Sequence, residues 1–454
     1  MSQPGKLCSA WVQNSTLGIG AILRLSLPRP KTKRLFVAFT LAITTAATAP
    51  AAANTDFRAE QWIKLAVAEL CGPVSLDGVE AQERLKGTWF LSETSPHPGR
   101  IEQSFGLPRG GELRVARLAA GGRMRRFTVA VHQQRKNRLQ PAVFAIADPA
   151  CNIQSARSIR FDVATDMTLL DHLEPDLTTI RWSEVLEAPW PAGHERGGTR
   201  VALVDSGLAY DLAAFRNRLA RGKDGKPIGY DFWDMDERPY DGDTSRGAFL
   251  PIRHGTPVAS VLVREAPQAT LVPIRYPRPD MTRMAAVIGF AAKNGVRVLA
   301  MPLGSNQKQQ WAEFEAAMRA HPHMLGIVSA GNNGRDIDRE PVWPAALVLD
   351  NVVVVTSADG SGRLAQGSNW GRTSVDLMVP AENRKVIDFR GNAGRASGSS
   401  YAVPRVAAIA ARILANDPSL TAQELKTRIF ARAVKSPYER DVVAVGWIPD
   451  PTSD

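Results

Sequence analysis

Six short apolar runs, Arg200–Val204, Thr270–Ile274, Val296–Leu303, Leu325–Ser329, Val352–Thr356 and Val375–Val379, succeed one another in the second half of the chain. Runs this short and this continuously apolar read as strands buried on both faces. Helical periodicity fills several of the gaps, over Pro257–Arg264, Met281–Lys293 and Gln310–Ala320. Two further helices close the chain. One runs from about Ser400 to Ala415, and the other is opened by the capping box Thr421-Ala-Gln-Glu424. Strand–helix alternation of this kind predicts an α/β fold, a doubly wound and mostly parallel sheet with helices on both faces. In such sheets the reacting groups gather at the carboxyl ends of the strands, so the residues just past each strand are the candidates for chemistry.

Composition removes several function classes. The 454 residues are 44% hydrophobic and 22% charged, which excludes a disordered, collagen-like or multi-span membrane chain and suggests two or three domains. The net charge of +11 is concentrated at the start: six of the 56 basic residues and none of the 45 acidic ones lie in residues 1–53, leaving 50 against 45 elsewhere. That is too mild a surplus for a nucleic-acid partner. Lys31-Thr-Lys-Arg34, the apolar run Leu35–Ile43 and the small residues ending at Ala53 are the parts of a secretory signal peptide, with cleavage expected after Ala53. The 30 residues ahead of it are long for a basic leader, as an over-extended start would make them. The chain is therefore expected to be exported, to the periplasm or the medium. An uncleaved leader acting as a membrane anchor is the alternative, disfavoured by its Thr and Ala content.

Removal of the leader leaves two cysteines, Cys71 and Cys151. In an oxidising compartment an even pair suggests a disulfide; two separate buried thiols are the other possibility. Neither has a Cys or His at metal spacing, so no zinc site is expected. Residues 54–193 mix a helix at Glu60–Leu70 with strand-like runs at Arg126–Val131 and Ala142–Ala147, and read as a small α+β domain with no chemistry-bearing motif. The Pro- and Gly-rich stretch Ala188–Gly197 is the expected linker to a second domain, residues 194–454.

Four segments carry chemistry. Asp205 ends the first strand of that second domain, where a half-buried carboxylate can hold a neighbouring group by a hydrogen bond; as a lone feature it could equally be a cap. His254 precedes a small-residue helix start, and Gly255 after it permits close approach to the ring. Ser400 opens a buried apolar helix, whose unpaired N–H groups favour an anion beside it. Asn332, in Ser329-Ala-Gly-Asn-Asn-Gly334 after a strand, can donate to an oxyanion. Each has an ordinary structural explanation; their joint occurrence in one α/β pattern does not.

The segments Val-Asp205-Ser-Gly, His254-Gly-Thr-x-Val-Ala, Ser-Ala-Gly331-Asn332-Asn-Gly and Gly-x-Ser400-x-Ala-x-Pro resemble those of the subtilisin-like serine peptidases, over about residues 195–448. Met301-Pro-Leu-Gly304, Ser368-Asn-Trp-Gly371 and Val375–Pro380 extend the resemblance. It implies a subtilisin-like sheet and endopeptide hydrolysis through an Asp205, His254, Ser400 triad, with Asn332 and the Ser400 N–H as the oxyanion hole. It also implies polypeptide substrates added as a β-strand between Leu303-Gly304-Ser305 and Ala330-Gly331. Ser399 stands for the usual Thr, Tyr401 for Met, Pro302 for Ser, and Pro380-Ala-Glu382 for Pro-Gly. None removes a catalytic group. Many subtilases bind calcium, and Asp231, Asp234, Asp236, Glu237, Asp241 and Asp243 could offer oxygen ligands. Their spacing fits no defined loop, so a solvated acidic surface is the expectation, with no cofactor or metal. The family commonly carries a propeptide, and residues 54–193 occupy its place as an intramolecular inhibitor and chaperone, self-cleaved near the linker; a permanent accessory domain is the alternative. Two rival functions fit the residues less well. A catalytically silent subtilase-like binding protein would lack a triad or oxyanion residue, and none is missing. A dinucleotide-binding enzyme needs a Gly-x-Gly-x-x-Gly turn that Asp205–Tyr210 does not have.

Overall fold

The computed structural model describes residues 58–453, apart from 136–137, 277–279 and 439–440. The leader and its cleavage site lie outside the described residues. Helix α1 (Ala59–Leu70) places Ile63, Ala66, Val67 and Leu70 on one buried stripe. The short α2 (Gly78–Arg84) begins at Asp77, whose carboxylate accepts from the N–H groups of Val79 and Glu80. Eight strands follow as an antiparallel meander in sequence order: β1 (Trp89–His97), β2 (Arg100–Leu107), β3 (Gly111–Ala120), β4 (Arg123–Arg135), β5 (Arg138–Ala147), β6 (Ile153–Asp162), β7 (Met167–Leu173) and β8 (Ile180–Glu187). The α1 stripe covers Phe127, Val129 and Val131 of β4 and Val143 and Ala145 of β5. Cys71, just after α1, is joined in a disulfide to Cys151 in the β5–β6 turn, with Cα atoms 5.7 Å apart.

This region holds more strand than the sequence suggests. Its two anticipated strands are lengthened, and six others are added. The reason lies in burial: β3 alternates buried with more exposed residues, Glu112 and Arg114 on its wetter face but Arg117 buried, while β1 is exposed along nearly its whole length. Period-two patterns of that kind are diluted by charge and fall below the contrast of a two-sided buried strand.

The second sheet consists of β9 (Arg200–Asp205), β10 (Tyr230–Asp231), β11 (Thr270–Arg275), β12 (Val298–Met301), β13 (Leu325–Ser329), β14 (Val352–Ala358) and β15 (Leu377–Pro380), with a small hairpin of β16 (Arg384–Ile387) and β17 (Ala393–Ala396) outside it and a last strand, β18 (Gly446–Trp447). The order is β10-β11-β9-β12-β13-β14-β15-β18, parallel throughout. Helices α3 (Gly255–Glu265), α6 (Ser399–Asn416) and α7 (Ala422–Phe430) cover one face; α4 (Met284–Lys293) and α5 (Ala312–Ala320) cover the other. Alternation decides which side chain goes where. Val201 and Leu203 of β9 pack toward α3 and α6, Ala202 and Val204 toward α4. The expected capping box of α7 is present, with Thr421 and Glu424 bonding reciprocally.

After β9 the chain first builds outward to β11, then returns to the other side of β9 at β12. Direction therefore reverses between β9 and β12, and a crevice opens at their carboxyl ends. The connection at residues 188–198 is strapped down. Tyr210 donates its hydroxyl to the Ala188 carbonyl at 2.5 Å, Trp190 packs on Tyr210 with centroids 4.1 Å apart, and Arg221 donates to Pro191.

Candidate active site

The β9 strand delivers Asp205 to the crevice almost wholly buried. Its two carboxylate oxygens lie 2.7 and 2.8 Å from His254 Nδ1. A carboxylate in its ionised form only accepts, so with a neutral ring this pairing assigns the proton to Nδ1 and leaves Nε2 as the basic nitrogen. His254 occupies the N-cap position of α3. The helix start is pressed so tightly against the turn after β9 that a Cβ on Gly255 would lie 1.9 Å from the Gly207 carbonyl oxygen. Only glycine allows that approach.

A second layer holds the pair. Ser206 Oγ accepts from the backbone N–H groups of His254 and Gly255 at 3.0 and 2.8 Å and donates to Asp241 at 2.6 Å. Asp241 also accepts from the Thr256 N–H at 3.0 Å. Burial pushes the Asp241 carboxyl above the usual carboxylate range, against the pull of Arg253 and these donors. The expectation of a solvated acidic surface is therefore wrong for much of that run. Asp231, Asp241 and Asp243 are buried, and Asp231 pairs with Arg275 at 2.5 Å. The physical reason is that Asp231 and Asp241 have internal donors to neutralise them, which composition does not reveal.

Ser400 is the second residue of α6, half-buried. Its N–H belongs to the first helical turn, whose donors have no intrahelical acceptor. Its hydroxyl makes no hydrogen bond among the described residues. The ring of Tyr401, next in sequence, lies 6.2 Å from the His254 ring. Burial and the negative Asp205 and Asp241 raise the Tyr401 hydroxyl to about 12. Asn332 reaches the same helix end. Its Oδ1 accepts from both the N–H and the hydroxyl of Ser399, each at 2.9 Å. Ser399 Oγ is in turn 2.7 Å from Ser329 Oγ. With its oxygen held, the Asn332 amide can present only its NH2 to the crevice. Gly398 makes room: its φ is +123°, and a Cβ there would sit 3.1 Å from Asn332 Oδ1.

The segments expected to border a substrate differ in what they offer. Ser305 pairs with Trp343 by two 2.8 Å backbone bonds, whereas the backbone groups of Leu303 and Gly304 bond to nothing among the described residues. They form a short free edge. Ala330 and Gly331 have theirs engaged, Ala330 with Val355 and the Asn369 amide, Gly331 with Ser329 Oγ and Asn369 N–H. They offer surface rather than hydrogen bonds.

Three supporting residues escape sequence reasoning. Asn369 accepts from the N–H groups of Asn333 and Arg335 at 2.9 and 3.1 Å and so shapes the turn that carries Asn332. Glu382 accepts from Ser357 Oγ at 2.6 Å and from the Gly398 N–H at 3.2 Å, just ahead of Ser400. Asp241 is the third. Each stands in a segment noted above, Ser368-Asn-Trp-Gly371, Pro380-Ala-Glu382 and the acidic run, but its supporting role is not visible there.

A profile described as the subtilase family matches residues 196–447, more than half of the chain and none of the eight-stranded sheet. A thermophilic serine proteinase of Bacillus sp. (strain AK1) is 29% identical over 238 residues, 49% of this chain and 53% of that one. A thermostable alkaline protease of Halalkalibacterium halodurans is 26% identical over 246 residues, 52% and 63% of the two chains. The chain thus spans about half to three-fifths of the length of these relatives. Among solved structures, a cold-adapted subtilisin-like serine proteinase aligns with 57% of this chain and 92% of its own, at 23% identity and a TM-score of 0.47. With the parallel sheet and the profile match together, this chain belongs to the subtilase family.

Proposed function

We propose that the protein is an exported serine endopeptidase in which Asp205, His254 and Ser400 act as the triad. The observation that carries this reading is the grip of both Asp205 oxygens on His254 Nδ1, at 2.7 and 2.8 Å. It fixes the tautomer a general base needs. Ser400 Oγ attacks the scissile carbonyl carbon while His254 Nε2 takes its proton. The resulting oxyanion is met by the Ser400 N–H and the Asn332 NH2. Collapse of the tetrahedral species breaks the C–N bond, and the imidazolium returns the proton to the leaving amine. Water then repeats the sequence on the acyl-enzyme. The polypeptide lies along the free edge at Leu303–Gly304 as an added strand.

The test is covalent. A fluorophosphonate probe applied to the purified protein is expected to label Ser400, mapped by peptide mass spectrometry, and to leave Ser400→Ala unlabelled. Labelling of another residue, or none in wild type, overturns the assignment.

A further inference from the structure

The loop that ends at His254 does not rest on the α/β part alone. It is gripped at three points by the eight-stranded sheet, within the single compact unit Phe57–Asp454. At its start, Arg238 pairs with Asp166 at 2.6 Å and with Glu187 at 3.1 Å. At its middle, Phe249 stacks on Phe144 of β5, centroids 5.5 Å apart and planes 16° apart, and its carbonyl accepts from Arg157 of β6. Phe144, Phe249 and Leu170 of β7 form a buried apolar cluster of their own. At its end, Arg253 reaches β8, donating to the Val185 carbonyl at 3.0 Å and pairing with Glu184 at 3.4 Å. Both of those charged side chains are more than nine-tenths buried. Arg253 is the residue bonded to His254.

Between the grips the loop is cross-bonded. Asp243 and Ile252 exchange two 2.8 Å backbone bonds, and Gly242 N–H donates to the Ser206 carbonyl. A shift of the sheet is therefore passed to the His254 backbone. The sheet also leaves the substrate side alone: among the described residues no hydrogen bond, ion pair or ring contact joins residues 58–187 to 303–305, 329–334 or 398–400. A cleft inhibitor would make its contacts there.

We propose that the eight-stranded sheet is a permanent brace of the catalytic unit and that Arg253 and Phe249 are positioning residues for His254. This rests on His254 being the general base. Displacement of a base by about 1 Å lowers the chemical step about a hundredfold while substrate contacts persist.

Arg253→Met and Phe249→Ala are made in the full chain and assayed on a peptide substrate, with sites counted by fluorophosphonate titration. The expected result is a kcat per titrated site reduced by about ten- to a hundredfold, with KM changed by less than about twofold. A merely structural role lowers the number of titrated sites and leaves kcat per site at the wild-type value, and that result overturns the proposal. In a second arm, a specific protease site is inserted in the exposed residues 192–194 and cut. The brace predicts that the sheet stays bound on gel filtration and activity is kept. Release of the sheet with activity kept or raised refutes it and favours the removable inhibitor. Wild type that fails to label at Ser400 sinks the peptidase reading itself, whereas labelled wild type with unchanged variants sinks only the brace.

Discussion

At the scale of single residues, the proposed oxyanion donor is the most exacting position. Asn332 is oriented by Ser399, so Asn332→Ala removes one donor and leaves its supports in place. Its kcat should fall by about 100- to 1000-fold with KM little changed, as measured by steady-state kinetics on a peptide. Unchanged kcat would mean that the amide does not face the developing charge. A second residue prediction concerns His132, whose pKa is lowered to about 4 by burial and by Arg114, with Glu112 opposing. Between pH 6.5 and about 4 the unfolded chain binds a proton that the folded chain refuses. Stability is therefore complete above 6.5 and lost as pH falls through that window. His132→Gln should flatten this slope in chemical denaturation, by at most about 2 kcal/mol allowing for the ring's partial exposure. A slope identical to wild type would place the acid sensitivity elsewhere. The four residues proposed to carry the chemistry stand out because each sits in a distinctive local segment. The roles of Asp241 and Glu382 do not, since their partners lie 15 to 35 residues away and leave no local pattern.

At the scale of elements, the helices that carry His254 and Ser400 are tied together by one buried ion pair. Arg405 Nε of α6 lies 3.0 and 2.9 Å from the two oxygens of Glu265 in α3, and Arg405 also donates to the Pro380 carbonyl. Both side chains are 4% exposed. Glu265→Gln or Arg405→Met alone leaves a charge buried without its partner and should cost about 3–5 kcal/mol in denaturant titrations. Glu265→Leu with Arg405→Met should restore most of that loss, because neither charge then needs solvating. A double variant as unstable as the sum of the singles would show no coupling between the two side chains and would sink this account of the pair. Six of the eight parallel strands and their helices were readable to within a few residues, because burial on both faces writes continuous apolar runs; β10 and β18, two residues each, are too short to write one. The antiparallel meander was largely missed, because strands with one wet face and many arginines look like loops.

At the scale of the whole molecule, the disulfide closes a separation of 80 residues and joins α1 to the far turn of the sheet. Replacing Cys71 and Cys151 together by Ala should lower stability by about 4 kcal/mol in the chain-entropy account, and reduction of wild type should do the same. If reduction leaves the thermal midpoint unchanged, the sheet is held by its core alone. Such a loss also reaches the active site if the sheet braces the His254 loop.

The sequence by itself determined the sheet's parallel class, the order Asp205, His254, Asn332, Ser400 and the pairing capacity of two cysteines, since each depends on periodicity or on residues a few positions apart. Only the tertiary structure decided which acids are buried, that Ser399 turns the Asn332 amide, and that the first sheet grips the loop before His254. Those outcomes depend on donors and apolar surfaces brought together from distant parts of the chain, where hydrogen-bond satisfaction and packing choose among arrangements that local pattern leaves open.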